Sequence, residues 1–241
     1  MVTRYKPKQI YLKHGNLVKQ SRAMAIVARH SINAGFNLDL NGRRQAFWAG
    51  SKLPSGFEII SAGSKFDRTL ETIDYATQGY DSAKTGRTTK GIADERLKKG
   101  QLTDAEKAEL QTRNRINEIL SALDARKPIQ ELKKLGQQLL KFMITEIAKS
   151  VKQQRKPLGL YVTHEGAEIA IFSALGIIKE KEDIEKIFGK RKPTKLVKDA
   201  GPNLTHTEGI LFYFLQNGRI IMSFRKKKFD ITRFIENNIN Y

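Results

Sequence analysis

Apolar residues recur at helical spacing between Thr103 and Gln154, and this pattern predicts a helical hairpin at the centre of the chain. Thr103 and Glu106 have the spacing of a capping box, which opens the first helix. Pro128 stands where a second helix begins, because proline is well tolerated in a first helical turn. The two apolar stripes are Ile116, Ile119, Leu120 and Leu123, followed by Leu132, Leu135, Leu139, Met143 and Ile147. We interpret the hairpin as a strut, or as an oligomer contact through Leu135, Leu139 and Met143.

The residues before the hairpin are predicted to be less regular. Residues 1–16 indicate an extended basic arm, in which Pro7 blocks a helix. Residues 16–33 favour a basic helix, and Asn41-Gly42 is typical of a β-hairpin turn. Residues 61–92 are rich in Gly, Ser and Thr, and we expect a long mobile loop there.

The residues after Pro157 predict alternating strands and helices. A strand is expected around Leu158–Val162, and an apolar, buried helix follows to about Ile178. A short helix is expected over 181–188. Asn217-Gly218 lies between two strongly apolar runs and predicts a β-hairpin with both faces covered, followed by a closing helix to about Asn238.

Together these elements predict an α+β fold. It would consist of the central helical hairpin, a C-terminal antiparallel β-hairpin or sheet, and the basic N-terminal arm. The expected division is 1–92, 93–157 and 158–241, or one composite domain of all three parts.

The formal charge adds a partner to this picture. The chain has 241 residues and carries a net charge of +19, from 44 basic and 25 acidic residues. Such an excess is typical of proteins that bind a polyanion, because each neutralised phosphate releases counterions. We therefore expect non-specific contacts with a nucleic-acid backbone, or a place in an assembly that contains nucleic acid and other protein subunits. No apolar run reaches the roughly 20 residues that a membrane-spanning helix needs, so no membrane partner is expected.

Basic clusters are the candidate anion-binding residues. They lie in the arm, at the predicted Asn41-Gly42 turn and in the C-terminal turns: Arg4, Lys6, Lys8, Arg43, Arg44, Lys190, Arg191, Lys192, Arg225, Lys226, Lys227 and Lys228. These side chains either converge into one patch or form separate solvated loops, and the sequence leaves both interpretations open.

The pattern of titratable residues favours no particular reaction. The chain has no cysteine, which excludes disulfides, cysteine–zinc sites and thiol catalysis. His164 with Glu165 and Glu168 resembles half of a zinc site, but a glutamate stands where the second histidine should be. No catalytic residue, metal or cofactor is therefore predicted.

The leading hypothesis is a non-enzymatic structural or nucleic-acid-associated protein. It would be a subunit of a larger assembly such as a viral or phage particle, as a connector or a DNA-facing virion component, because basic arms reaching from a compact body suit such a role. The alternative is a metal-dependent DNA- or RNA-processing enzyme whose site is assembled from scattered carboxylates and His164. The basic N-terminus is not followed by a signal-peptide pattern, so we expect a cytoplasmic or virion location.

Overall fold

A six-stranded mixed sheet forms the centre of the protein. The computed structural model describes residues 15–31, 33–34, 37–85, 114–153, 155–164, 166–189, 209–225 and 227–239. The strands are β1 (Ser21–Arg29), β4 (Glu58–Gly63), β5 (Pro157–Thr163), β6 (Gly209–Leu215), β7 (Ile220–Phe224) and β8 (Lys227–Asp230), and their order in the sheet is β4-β5-β1-β6-β7-β8. A separate two-stranded ladder joins β2 (Asn33–Ala34) and β3 (Asn37–Leu38).

The sheet has a parallel half and an antiparallel half. Strands β4, β5 and β1 run parallel, with Met24 of β1 and Ile59 of β4 both aligned with Leu158 of β5. Strand β6 runs antiparallel to β1, and β7 and β8 continue in antiparallel order. The carboxyl ends of β4, β5 and β1 therefore lie side by side at one edge of the sheet.

Helices cover both faces of this sheet. One face carries α1 (Gly15–Gln20) and α3 (Asp67–Thr85), with α2 (Leu40–Ser51) packed against α3. The other face carries α4 (residues 114–122), α5 (Ile129–Lys152), α6 (Gly166–Ala174), α7 (Lys181–Phe188) and α8 (Thr232–Asn238). Successive residues of β1 alternate between the two cores, as the pleat of a strand requires. The architecture is thus a three-layer sandwich around a mixed sheet.

The predicted α+β fold with a central helical hairpin is therefore wrong. Helices α4 and α5 do form in that region, and Pro128 directly precedes α5. Their apolar stripes belong to the core between the sheet and α6, and Leu139 and Met143 are fully buried there. A Cβ on Gly136 of α5 would lie only 2.1 Å from the Ala170 carbonyl oxygen of α6, so these helices approach closely. The stripe assigned to an oligomer contact is occupied within the chain.

Three predictions for the first ninety residues are also wrong. Ser21–Arg29 is the central strand β1 rather than part of a helix. The prediction is wrong because β1 is covered on both faces, so its sequence lacks the alternation of a half-exposed strand. Asn41-Gly42 lies in the first turn of α2, where the Gly42 amide donates to Asp39 Oδ1 at 2.6 Å. Most of the segment predicted as a loop is the helix α3. The basic arm to residue 14 and residues 86–92 lie outside the described residues.

The elements predicted after Pro157 are confirmed. Strand β5, the buried helix α6, the short helix α7 and the β6–β7 hairpin all form, and every residue of β6 and β7 is buried. The sheet draws β1 and β4 from the first of the three predicted parts and the other four strands from 157–241. Within the described ranges, no helix is both long and apolar enough to cross a membrane.

Candidate active site

Polar residues follow the carboxyl ends of the three parallel strands. His30 directly follows β1, Ser64 follows β4 and His164 follows β5. Two backbone hydrogen bonds continue the pairing beyond the strands, from the His30 amide to Thr163 O at 2.9 Å and from the Ser64 amide to Val162 O at 3.1 Å. This edge is where ligands bind in open α/β sheets, because the chain leaves the sheet there in diverging loops.

The two histidines face each other at this edge. The ring centroids of His30 and His164 are 5.3 Å apart, with an interplanar angle of 72°. The Phe66 ring lies edge-on to His164 at 4.9 Å and is itself partly exposed to solvent. The His30 ring is almost completely buried, with 5% of the residue exposed.

The backbone fixes the tautomer of His30. Its Nδ1 lies 2.7 Å from Ser31 O, and a carbonyl oxygen only accepts hydrogen bonds, so Nδ1 carries the hydrogen. The lone pair of the neutral ring is therefore on Nε2. The Ser31 amide donates to Thr72 Oγ1 at 3.0 Å, and the Thr72 hydroxyl donates to Arg68 O at 2.7 Å. Helix α3 thereby holds the segment that orients His30.

Hydroxyl groups from the β4–α3 connection contact His164. Ser64 Oγ lies 3.2 Å from His164 Nε2 and 3.0 Å from Thr69 Oγ1. Both Ser64 and Thr69 are fully buried, so bulk water does not compete for these contacts. His164, which follows β5, is thus held in place by residues that follow the neighbouring strand β4.

Two half-buried arginines make the site electropositive. Arg29 is the last residue of β1, and Arg68 lies in the first turn of α3 with its guanidinium 4.9 Å from the centre of the Phe66 ring. Burial lowers the pKa of Arg68, and the neighbouring positive charge of Arg29 lowers it further. An anion bound between these guanidinium groups would relieve their mutual repulsion. The site is therefore suited to a small anion such as phosphate.

Burial and the arginines keep both histidines neutral. Burial lowers the pKa of His30 to about 3; the hydrogen bond to Ser31 O opposes this shift, whereas Arg29, His164 and Arg68 add to it. The pKa of His164 falls to about 4, through burial and then through Arg68 and Arg29, against an opposing effect of Asp124. A neutral imidazole with a defined lone pair can act as a nucleophile or a base.

The basic residues predicted as anion-binding lie elsewhere or outside the described residues. Arg43 pairs with Glu71 at 3.6 Å on the surface of α2, and Arg44 is exposed on the same helix rather than at a hairpin tip. Arg225 donates to Phe188 O at 2.8 Å, whereas Lys227 and Lys228 are exposed on β8. Arg4, Lys6, Lys8, Lys190, Arg191, Lys192 and Lys226 are not among the described residues. Their binding of anions, and the nucleic-acid partner, stay predictions.

Sequence reasoning missed three of the four charged or titratable residues of this site. The sequence pattern places Arg29 and His30 in a predicted basic helix and Arg68 in a predicted loop, and it indicates only His164 as a candidate, for a metal. A usable signal was present: Arg29-His30 and Thr163-His164 each come at the end of an apolar run that forms a parallel strand.

The expected classes of function are therefore corrected. The described residues bring buried His30, half-buried His164 and two half-buried arginines together at the carboxyl ends of parallel strands, an arrangement that a structural virion component does not require. The alternative, a metal-dependent nucleic-acid-processing enzyme, gains no support from the described residues. No group of three or more His, Asp or Glu that could hold a metal occurs among the described residues, and Arg29 and Arg68 would repel a cation beside His164.

Comparison with known proteins gives structural matches of low sequence identity. No family model and no curated protein matches the chain. Among solved structures, it is similar to phosphoserine phosphatase from Entamoeba histolytica (18% identity, 85% of this chain and 98% of that chain, TM-score 0.42). It is also similar to a mycobacterial glucosyl-3-phosphoglycerate phosphatase (16% identity, 85% and 100%, TM-score 0.42) and to mycobacterial hydrolase 2 (14% identity, 90% and 96%, TM-score 0.45). These matches give the predicted virion component or connector no support.

Proposed function

We propose that this protein hydrolyses phosphate monoesters through a phosphohistidine intermediate at His30. The observation that carries the proposal is the convergence of His30, His164, Arg29 and Arg68 at the carboxyl ends of adjacent parallel strands. Two guanidinium groups match the charge of a phosphate group, and the neutral imidazole supplies a nucleophile beside it.

His30 is the better nucleophile of the two histidines. Its Nδ1–H donates to Ser31 O, so the lone pair lies on Nε2, and attack on phosphorus from Nε2 requires no change of tautomer. When Nε2 forms the P–N bond, the ring becomes cationic. The Nδ1–H···O hydrogen bond then strengthens, because its donor carries more positive charge.

Arg29 and Arg68 stabilise the charge on the transferred group. In the first step the P–N bond forms and the ester P–O bond breaks, and the leaving oxygen departs with the bonding electrons and takes a proton from solvent. In the second step water attacks phosphorus and the P–N bond breaks, which releases inorganic phosphate and restores neutral His30. Arginines held in place before either step lower both barriers electrostatically.

The test is hydrolysis of p-nitrophenyl phosphate by the purified chain and by His30→Ala. We expect His30→Ala to lower kcat by at least about 1,000-fold, because the variant has no nucleophile. Rapid quenching in alkali should trap a base-stable, acid-labile phosphohistidine in the native chain alone, detected by intact mass and phosphorus NMR. Arg68→Met should lower kcat/KM by about 100-fold, because one cationic contact with the phosphoryl oxygens is lost.

Arg219→Met is the matched control. Arg219 is an arginine as well, but it pairs with Asp230 in the antiparallel half of the sheet. Its replacement should leave kcat/KM unchanged. Undiminished turnover by His30→Ala would overturn the proposal, as would a native chain that neither hydrolyses phosphate esters nor binds orthovanadate.

A further inference from the structure

The hydrogen bonds behind His164 form a chain with a direction. Thr69 Oγ1 lies 2.6 Å from Phe66 O and 2.7 Å from Ser64 O. Both acceptors are backbone carbonyls, so the single hydroxyl hydrogen of Thr69 must point toward them. Thr69 Oγ1 can then only accept a hydrogen bond from Ser64 Oγ, which lies 3.0 Å away.

The same reasoning fixes the next link. Ser64 has one hydroxyl hydrogen, and it donates that hydrogen to Thr69 Oγ1. Ser64 Oγ can therefore only accept a hydrogen bond from His164 Nε2, which lies 3.2 Å away. His164 Nε2 must therefore carry a hydrogen. If Ser64 instead donated to His164 Nε2, the lone pairs of Ser64 Oγ and Thr69 Oγ1 would face each other at 3.0 Å. Both residues are fully buried, so this unmade hydrogen bond would cost free energy.

We propose that Ser64 and Thr69 are positioning residues that hold His164 as its Nε2–H tautomer, with the lone pair on Nδ1. This role rests on the proposed phosphatase activity. It gives the two histidines opposite tautomers, because His30 carries its hydrogen on Nδ1. His30 thus presents a nucleophilic Nε2, and His164 retains a basic Nδ1.

The hydrogen bonds from His164 through Ser64 to Thr69 let His164 gain a proton without any hydroxyl group turning. A proton taken up at Nδ1 leaves Nε2–H, Ser64 and Thr69 in the same hydrogen bonds. In the opposite tautomer, protonation at Nε2 would place its hydrogen against that of Ser64, and the Ser64 hydroxyl would have to turn. His164 can therefore become an imidazolium when a phosphate dianion enters between the arginines, while its ring stays in place.

Side-chain proton–nitrogen correlation spectra of the full chain test the tautomer directly. We expect the His164 signals of the free protein at neutral pH to show a protonated Nε2 and an unprotonated Nδ1, with the reverse pattern for His30. Titration with inorganic phosphate should protonate His164 at Nδ1 and leave Nε2–H in place. A protonated Nδ1 on His164 in the free protein would overturn the proposal.

Thr69→Val and Thr69→Ser provide the matched pair. In Thr69→Val the Ser64 hydroxyl loses its acceptor and turns to donate to His164 Nε2, so we expect a new population with the hydrogen on Nδ1. Turnover of p-nitrophenyl phosphate should fall by about 10-fold or more through kcat. Thr69→Ser keeps the hydroxyl and should retain the native spectrum and rate.

Ser64→Ala is a second variant that breaks the chain at its other link, and it should lower kcat similarly. If Thr69→Val and Ser64→Ala leave both the His164 spectrum and kcat unchanged, the positioning role is wrong. Failure of the proposed function would look different: the native spectrum would show the expected tautomers, but no substrate would turn over and no phosphohistidine would form.

Discussion

The parallel and antiparallel halves of the sheet differ in what their buried residues do. At the carboxyl ends of β4, β5 and β1, buried positions are occupied by His30, Ser64 and Thr163, and half-buried arginines lie beside them. In β6 and β7 the buried residues are almost all apolar. On the face toward α6 and α7, the rings of Phe172, Phe188 and Phe224 pack edge to face with centroids 5.5–5.6 Å apart.

This difference separates stability from chemistry. Buried polar groups cost free energy unless they are hydrogen-bonded, so the polar site contributes less to stability than an apolar core of the same size. The aromatic cluster has no polar group to satisfy and contributes mainly through burial and ring packing. Substitutions in the antiparallel half should therefore lower the free energy of unfolding and leave kcat unchanged. Substitutions in the parallel half should lower kcat and leave most of the stability.

Phe224→Ala should show the largest loss of stability. Phe224 is 2% exposed and contacts two other rings of the cluster, so truncation removes buried area and leaves a cavity. We expect the free energy of unfolding to fall by about 3–5 kcal/mol, measured by urea denaturation. The kcat of the molecules that remain folded should be unchanged.

Phe224→Leu is the volume-matched control and should cost much less, so it keeps the test usable if the alanine variant does not fold. His30→Ala should behave in the opposite way, with kcat lost and most of the stability kept. A large drop in kcat for fully folded Phe224→Leu would show that the two halves are coupled. The assignment of stability to one half and of catalysis to the other would then be wrong.

Lowering the pH should destabilise the protein through the parallel half. The pKa values of His30 and His164 lie at about 3 and about 4 when folded, against 6.5 for the ordinary group. The unfolded chain therefore binds more protons below pH 6.5, and stability is lost as the pH falls from there toward about 4. Linkage gives a slope of at most about 1.4 kcal/mol per pH unit for each histidine.

Urea denaturation between about pH 7 and about pH 5 measures this slope, with the His30→Gln, His164→Gln double variant as control. Arg29, Arg68 and Asp124 remain in the variant, so the difference in slope belongs to the two imidazoles. Equal slopes for the native chain and the variant would mean that the histidines titrate normally, and the electrostatic account of the site would fail.

The two halves also differ in how far the sequence predicted them. The β6–β7 hairpin is local: Asn217-Gly218 forms its turn, and Phe214 pairs with Ile220 a few residues away. The partner of β1 is far along the chain, with Met24 beside Leu158, and no short-range pattern encodes that pairing. Burial on both faces also removes the alternation that marks a strand, so the sequence pattern of β1 favours a helix.

The site was missed for the same physical reason. Arg29 and His30 gain their neighbours only when β1 pairs with β5, and Arg68 joins them only because α3 begins where β4 ends. In the sequence, His164 stands beside Glu165 and Glu168, and these neighbours indicate a metal. Its spatial neighbours include two arginines, a second histidine and one carboxylate, Asp124, and this excess of positive charge indicates an anion.

Arg219→Met should have the smallest effect, and it measures how much an exposed ion pair contributes to the stability of the antiparallel half. Arg219 donates to Asp230 at 2.7 and 2.9 Å, but both side chains are about half exposed, so solvent screens the pair. We expect a loss of at most about 1 kcal/mol in urea denaturation. The pKa of Asp230 lies at about 2, first because of the Thr232 hydroxyl and then because of Arg219, so carboxyl NMR should show it rising but staying below its ordinary value. A loss of several kcal/mol would mean that an exposed ion pair stabilises this half as strongly as its aromatic cluster, and the assignment of its stability to apolar packing would not hold.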